Sequence, residues 1–407
     1  MAAASVGVDP DEWELVVEHE RIPFVSYPYE WPFSMLRDAA ELHLELLVAA
    51  LEEGFTMSDG YAYNVQWQGT RPVFIDIGSF QPSEGGGPWA GYRQFCQTFL
   101  FPLMLQGHRG VAFRPLLRGQ VDGITPAQAR RLFSRGDWVR PGVFRHAVLH
   151  DLAERRFSTD STQQVKAQLR TAGFDQELVK AVAGKLLRLV RKVTWEPSGS
   201  GWSGYGETCT YDAAGRAAKQ AFVDAAVRAR PRRLVYDLGC NDGTNSRVAA
   251  EHADHVVAVD GDEVTIERLY RSLRETGDTR ILPLVMDLAD PSPGIGWRNR
   301  ERAGFGDRGG PDLVLALALV HHLALTNGVP LDEIVAWLAS FGGEVVVEFV
   351  DRSDPMSARL LANKPDGTHD AYTRPAFEAA LAPHFSVRAR EELPGATRTL
   401  FHLVPLG

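Results

Sequence analysis

Three short apolar runs in the second half of the chain each carry an aspartate at or just beyond their end. Leu234–Leu238 contains Asp237, His255–Asp260 ends on Asp260, and Ile281–Met286 is followed by Asp287. The acids stand 23 and then 27 residues apart. Short continuous apolar runs separated by helix-length segments are the pattern of buried parallel strands joined by crossover helices. Glu263–Leu273 supplies one such helix. Leu313–Val320 and Glu344–Val350 read as a fourth and a fifth strand. Phe385–Glu391 and Thr399–Val404 follow with no room for a helix between them, so they predict a closing hairpin. The expected architecture is α/β, a doubly wound parallel sheet with one antiparallel strand near its end.

The turn after the first strand reads Asp237-Leu-Gly239-Cys-Asn241-Asp-Gly243. Glycines between a strand and a helix let the backbone approach a ligand, and an open α/β sheet binds ligands there. Asn241 stands where glycine is common, and asparagine tolerates the left-handed conformation such a turn needs. Asp237 is placed to grip an amino group, Asp260 to bind ribose hydroxyls, and Asp287 to accept from an adenine amino group. No pyrophosphate-type G-x-G-x-x-G is present. Three acids at successive strand ends suit a ligand with an amino group, a ribose and an adenine. A Rossmann-like domain with another nucleotide, or with none, is the alternative.

On these residues the segment 201–407 resembles the class I S-adenosylmethionine-dependent methyltransferases. Their Rossmann-like seven-stranded sheet has a reversed last strand. The resemblance implies S-adenosyl-L-methionine as cofactor. It places Asp237, Gly239, Asn241 and Gly243 around the methionine part, Asp260 at the ribose, and Asp287 with Leu288 at the adenine, flanked also by Met286. Tyr205 and Tyr211, ahead of the first strand, either cap the methionine end or seal a domain junction. Methyl transfer is an in-line displacement in which the protein aligns the acceptor and removes its proton. His321 and His322, at the end of the fourth run, are candidate bases, with His322 favoured; the alternative is that both are structural. Glu348 needs a reason inside an apolar strand, since a buried carboxylate costs several kcal/mol unless paired. It would orient a histidine or bind a cationic substrate. Tyr372 falls in an expected lid, and Asp351, Arg352 and Asp354 in a solvated loop.

The first half divides into an α+β accessory domain at 1–150, expected to recognise substrate, and a helical connector at 151–200. Ile22–Pro32, rich in aromatics and proline, predicts an extended docking strand. Phe33–Glu53 predicts a helix with Leu36, Ala40, Leu44, Leu47 and Leu51 on one stripe. Asp59, Asn64 and Asp76 resemble the catalytic loop and metal-binding acid of aminoglycoside-phosphotransferase-like kinases, where such groups position a hydroxyl and hold Mg²⁺. Met57 stands where a histidine is usual, and only 58 residues precede Asp59, too few for a complete small lobe. A degenerate kinase-like lobe that contacts substrate, a plain structural hairpin and an active phosphotransferase are the three readings, in that order. The half as a whole is more loosely similar to methyltransferases related to the nodulation protein NoeA, which carry a similar SYPYEWP segment and DxxxYN-type loop. That resemblance implies methylation in glycoconjugate or specialised metabolism.

Composition excludes several classes. Of 407 residues 44% are hydrophobic and 23% charged, which is globular composition. A net charge of −9 argues against a broad nucleic-acid footprint. Cys96, Cys209 and Cys240 have no disulfide-framework or metal-ligand spacing. No run approaches the length of a membrane span, and the first residues lack the pattern of a signal peptide. The expectation is a cytoplasmic enzyme without a metal, acting on a small-molecule or short-peptide acceptor, with O-methylation first and N- or C-methylation open. A phosphotransferase using the Asp59, Asn64 and Asp76 loop and a non-catalytic adenosyl-ligand-binding protein are the readings from other classes.

Overall fold

The computed structural model describes residues 18–83, 87–156, 176–197, 213–365, 367–395 and 397–406. Tyr205 and Tyr211 lie outside them. Helix α1 spans Phe33–Glu52 and buries the stripe of Leu36, Ala40, Leu44, Leu47 and Leu51. Two small antiparallel pairs follow: β1 (Phe55–Met57) with β4 (Phe80–Pro82), and between them the hairpin of β2 (Val65–Gln68) and β3 (Arg71–Phe74). Short helices fill 92–156, and α2 (Gln176–Lys192) lies along α1.

The second half is one seven-stranded sheet. Its strands are β5 (Arg232–Leu238), β6 (Ala253–Asp260), β7 (Ile281–Val285), β8 (Leu313–Ala316), β9 (Glu344–Val350), β10 (Phe385–Glu392) and β11 (Arg398–Pro405). Their order is β10-β11-β9-β8-β5-β6-β7. β5 to β9 pair in parallel, and β11 runs antiparallel to both β9 and β10. The order reverses between β5 and β8, which is where such a sheet opens a crevice at its carboxyl edge. Helices α3 (Ala213–Arg228), α4 (Thr244–Ala250) and α5 (Glu263–Thr276) border the first strands. Then α6 (Leu331–Ser340) and α7 (Pro355–Leu361) accompany β8 and β9.

Strand periodicity decides which core each residue joins. On β5, Val235 packs with Phe222, Val223 and Ile266, while its neighbour Tyr236 joins the core that contains Phe24, Phe305 and Phe341. That second core runs without a break into the first half, through Trp31, Trp67 and Tyr270. Trp67 on the β2–β3 hairpin meets Tyr270 of α5 edge-on, ring centres 5.9 Å apart. Gly69 at the hairpin turn has a φ of +56°, and a Cβ there would collide with the backbone of Thr279. The turn therefore needs glycine both for its conformation and for its approach to the sheet domain.

Ile22–Pro32 is not the expected strand. The amide of Ser26 donates to Gln66 Oε1 at 3.0 Å, and Gln66 Nε2 donates to the Ser26 carbonyl at 3.0 Å, so a side-chain amide takes the bonds a neighbouring strand would have made. Pro28 opens a single helical turn, Pro28–Glu30, and Glu30 accepts from the Tyr27 amide at 2.9 Å. Both Glu30 oxygens also accept from Arg308, at 2.9 and 2.5 Å, and the guanidinium lies over the rings of Phe24 and Tyr27. The fourth strand also departs from expectation. It stops at Ala316, and Leu317–Val320 continue as an apolar turn at the edge of the crevice.

Glu30 and Arg308 are both buried, so removing one partner strands the other's charge. Glu30→Ala should lower the unfolding free energy by about 3–5 kcal/mol, read as a shifted midpoint in urea denaturation. A shift no larger than that of an exposed surface pair would show that the bridge does not hold the two halves together.

Candidate active site

A cavity of about 460 Å³ opens at the carboxyl edge of the sheet between β5 and β8. Its walls include Gly239, Asn241, Asp260, Asp287, Leu288, Leu319 and His322. Most of the residues expected from the sequence to hold a cofactor are thus in one place. Among the described residues, all that line it belong to the second half of the chain.

The loop after β5 turns on two glycines and one asparagine. Gly239 and Gly243 have φ of +79° and +77°, and Asn241 has +50°, the left-handed conformation expected of it. A Cβ on Gly243 would come within 2.6 Å of the Leu269 side chain, so any other residue would have to displace that side chain as well as adopt a positive φ. Asp260 ties this loop to the next. Its Oδ2 accepts from the Asn241 amide at 2.9 Å and its Oδ1 from the Asp262 amide at 2.9 Å. Burial raises the pKa of Asp260, and the two amides partly offset the rise.

Asp237 lies under the loop rather than on the cavity wall. It is 1% exposed and accepts from Ser246 Oγ at 2.6 Å. Burial pushes its pKa up to about 6, against the opposing effects of Ser246 and Lys219, and the charge of Asp260 adds to the rise. Asp287 is exposed at the end of β7 and accepts from the Ala289 amide at 2.9 Å. Leu288 beside it is buried and gives this end of the cavity an apolar wall.

Ala318 was not singled out by sequence reasoning. It has a φ of +51° without being glycine and lines the cavity just before Leu319. Such strain persists only where the surroundings impose it, and it concentrates at functional sites. Nothing in the local sequence Leu317-Ala-Leu-Val signals it.

His322 faces the cavity and His321 does not. His321 is fully buried with both ring nitrogens unpartnered, and its ring sits 4.1 Å from that of His322. Burial lowers the pKa of His321 well below the usual histidine value, helped by His322, and lowers that of His322 to about 4, helped by the charge of Arg398. Both imidazoles are neutral near pH 7. Glu348 is fully buried, accepts from Lys219 Nζ at 2.8 Å and meets Arg398 at 3.4 Å. Arg398 turns its fork to Asp354, at 2.8 and 3.0 Å. The carboxylate expected to orient a histidine or receive a cation is thus engaged with two cations, and Lys219, which reaches the cavity wall, went unnoticed in the sequence. Tyr372 is buried, stacks on Phe349 and donates to the Val350 carbonyl at 2.8 Å, away from the cavity.

In the first half, Asn64 Nδ2 donates to Asp76 Oδ2 at 2.9 Å across the open end of the β2–β3 hairpin. Asp59 instead accepts from Gln94 at 3.2 Å. None of the three lines the cavity.

A seven-stranded sheet in this order, with its penultimate position reversed, is the Rossmann-like class I methyltransferase fold. No family model matches the chain. It is 35% identical over 391 residues to the nodulation protein NoeA of Rhizobium meliloti (strain 1021), which covers 95% of this chain and 81% of that protein. The chain belongs to the family of that protein. Similar solved structures include the N-methyltransferase NodS of Bradyrhizobium japonicum WM9 in complex with S-adenosyl-L-homocysteine. It is 12% identical, covers 47% of this chain and 87% of its own, and has a TM-score of 0.34. Another is the magnesium protoporphyrin IX methyltransferase of Synechocystis PCC 6803 with the same ligand bound, 17% identical, covering 51% and 90%, with a TM-score of 0.33. No helix among the described residues is long and apolar enough to cross a membrane.

The neutrality of His322 has a measurable sign. Its folded pKa near 4 lies below the unfolded value near 6.5, so the unfolded chain takes up this proton first as pH falls. The contribution of His322 to stability is intact above about pH 6.5 and is lost between about 6.5 and 4. An NMR titration should place its midpoint near 4, and a midpoint near 6.5 would show the ring to be solvated.

Proposed function

We propose that this protein is an S-adenosyl-L-methionine-dependent methyltransferase that acts on a small acceptor, with O-methylation as the favoured reaction. The observation that carries the reading is Asp260. It stands at the cavity wall with both oxygens fixed by amides and lone pairs left for a pair of ribose hydroxyls. Around it the donor set fits the whole cofactor: Asp287 and Leu288 for the adenine, and the loop from Gly239 to Gly243 for the methionine part. Asp237 lies beneath that loop as a carboxylate for the cationic end. When bound, the cofactor supplies an electrophilic methyl group on a sulfonium. The chain's own task is to align the acceptor oxygen, keep water out and take its proton. His322 is the proton acceptor of this reading, because its ring faces the cavity and is neutral. His321 packs behind it and fixes its position. The compartment of this reading is the cytoplasm.

Calorimetry tests the cofactor assignment. Asp260→Ala removes a charge-assisted contact worth about 1.5–3 kcal/mol, so affinity for S-adenosyl-L-methionine should fall about ten- to hundredfold. Unchanged affinity would remove the central claim. The pH dependence follows from Asp237. Its carboxyl ionises near pH 6 in the unliganded protein, so affinity for a cationic ligand should rise between about pH 5 and 7 and then level off. For the base, His322→Ala should lower formation of S-adenosyl-L-homocysteine by about 10²-fold or more while cofactor affinity is retained. Full turnover in that variant would exclude the histidine.

A further inference from the structure

Residues 126–156 carry a charge opposite to that of the whole chain. They hold seven arginines against three carboxylates, in a protein of net charge −9. The three acids are already answered by cations. Asp137 is buried and accepts from Arg109 at 3.2 Å and Arg140 at 3.0 Å. Asp151, also buried, accepts from Arg130 at 2.7 Å and Arg155 at 3.0 Å. Glu154 meets Arg93 at 3.0 Å. Arg131, Arg135 and Arg145 are exposed and have no carboxylate partner among the described residues.

The same stretch exposes apolar side chains. Of the fourteen large apolar residues exposed among the described residues, five lie in it: Leu132, Val139, Phe144, Leu149 and Leu152. Val139 is 91% exposed. It ends the helical turn Arg135–Val139, which Asp137 fixes by accepting from the Ser134 amide at 2.8 Å and its hydroxyl at 2.6 Å. A built turn therefore holds Val139 out in solvent. Trp138 beside it packs on Phe144, ring centres 6.1 Å apart. Val143–Val148 runs into the helix Leu149–Arg156, where Leu149 and Leu152 stand three apart on the outward side. The helix Pro126–Leu132 and the turn Arg135–Val139 both pack against Val143–Val148, so the pieces form one body.

We propose that this face docks on an anionic lipid surface, with Val139 and Phe144 entering the headgroup layer and Arg131, Arg135 and Arg145 meeting lipid phosphates. The protein would lie on the membrane without spanning it. A protein partner is met by an apolar centre from which charge is depleted. Here apolar side chains and arginines alternate along the chain, which suits a surface that offers phosphates and acyl chains at nearly the same depth. A guanidinium fork also matches phosphate oxygens in two bonds. A chain of net charge −9 is repelled as a whole by an anionic surface, so any attraction has to come from a local basic face. None of these residues lines the cavity between β5 and β8, so the inference stands apart from the methyltransferase reading.

The test is sedimentation of the full chain with vesicles of phosphatidylcholine alone and of phosphatidylcholine with about one-third phosphatidylglycerol, near 0.1 M salt. The mixed vesicles should bind at least about tenfold more tightly, and added salt should weaken the binding. Arg131→Gln combined with Arg135→Gln and Arg145→Gln should weaken it about hundredfold, roughly fivefold for each charge. Val139→Ser with Phe144→Ser should weaken it about tenfold or more. All five positions are exposed, so an unchanged urea midpoint should show that each variant is folded. Absence of binding to the mixed vesicles overturns the inference, and so does equal binding to phosphatidylcholine alone. Binding that survives both sets of substitutions comes from another surface and overturns it too. If the vesicles fail and polyglutamate binds in a way that the arginine variant abolishes, the face serves an acidic protein and the lipid reading is lost.

Discussion

One carboxylate sets the geometry on which the cavity depends. Asp260 spans the gap between the loop after β5 and the loop after β6, with one oxygen on the Asn241 amide and the other on the Asp262 amide. Those two bonds hold Asn241 in its left-handed conformation and keep the two loops at a fixed separation. Burial of Asp260 is tolerated because its charge is met by oriented amides rather than by a counterion. Asp237 stands on the neighbouring strand, and the charge of Asp260 adds to the cost of ionising it. Two carboxylates in mutual repulsion at adjacent strand ends leave the unliganded cavity with a negative potential at one end. A cation placed there would relieve it, as a cofactor with a sulfonium and an ammonium would and an anionic dinucleotide would not.

The two halves of the chain are not separable pieces. The core around Tyr236 continues through Phe24 and Trp31 into α1. Several polar links cross the same boundary, from buried to exposed. Ser34 donates from its amide and its hydroxyl to Glu267 at 2.9 and 2.5 Å. Arg114 meets Glu263 at 2.5 Å, and Arg118 meets Asp290 at 3.1 Å. These contacts lie on α5 and on the segment after β7, at the adenine end of the cavity rather than at the end where His322 stands. The first half is therefore placed to fix the loops that carry Asp262 and Asp287. Shared apolar burial supplies the cohesion, and the ion pairs supply register, since each is satisfied in one relative placement only.

The sheet was legible because its signals are local. A buried parallel strand shows as an apolar run, and the acid at its end shows as a charge where the run stops. β5, β6, β7 and β9 were found within two residues, and with them Asp237, Asp260 and Asp287. The helix α1 was legible for the same reason, through its stripe from Leu36 to Leu51. The places where reading failed depend on partners far away in sequence. Leu313–Val320 is apolar throughout, so nothing marks the end of β8 at Ala316 or the strained turn at Ala318. Ile22–Pro32 has a composition that suits a strand, but Gln66, 40 residues on, takes its backbone bonds. The charge of Glu348 was noticed, and its meaning was not, because Lys219 lies 129 residues earlier on a helix. Buried charge can be seen in a sequence, but the cation that answers it cannot.

The weakness of His322 as a base bears on how the site would work. An imidazole with a pKa near 4 cannot remove a proton from an alcohol in advance. It can accept one as the new bond to the methyl carbon forms, because the oxygen then becomes strongly acidic. Burial in low-dielectric surroundings depresses the ring, and the charge of Arg398 adds to the effect.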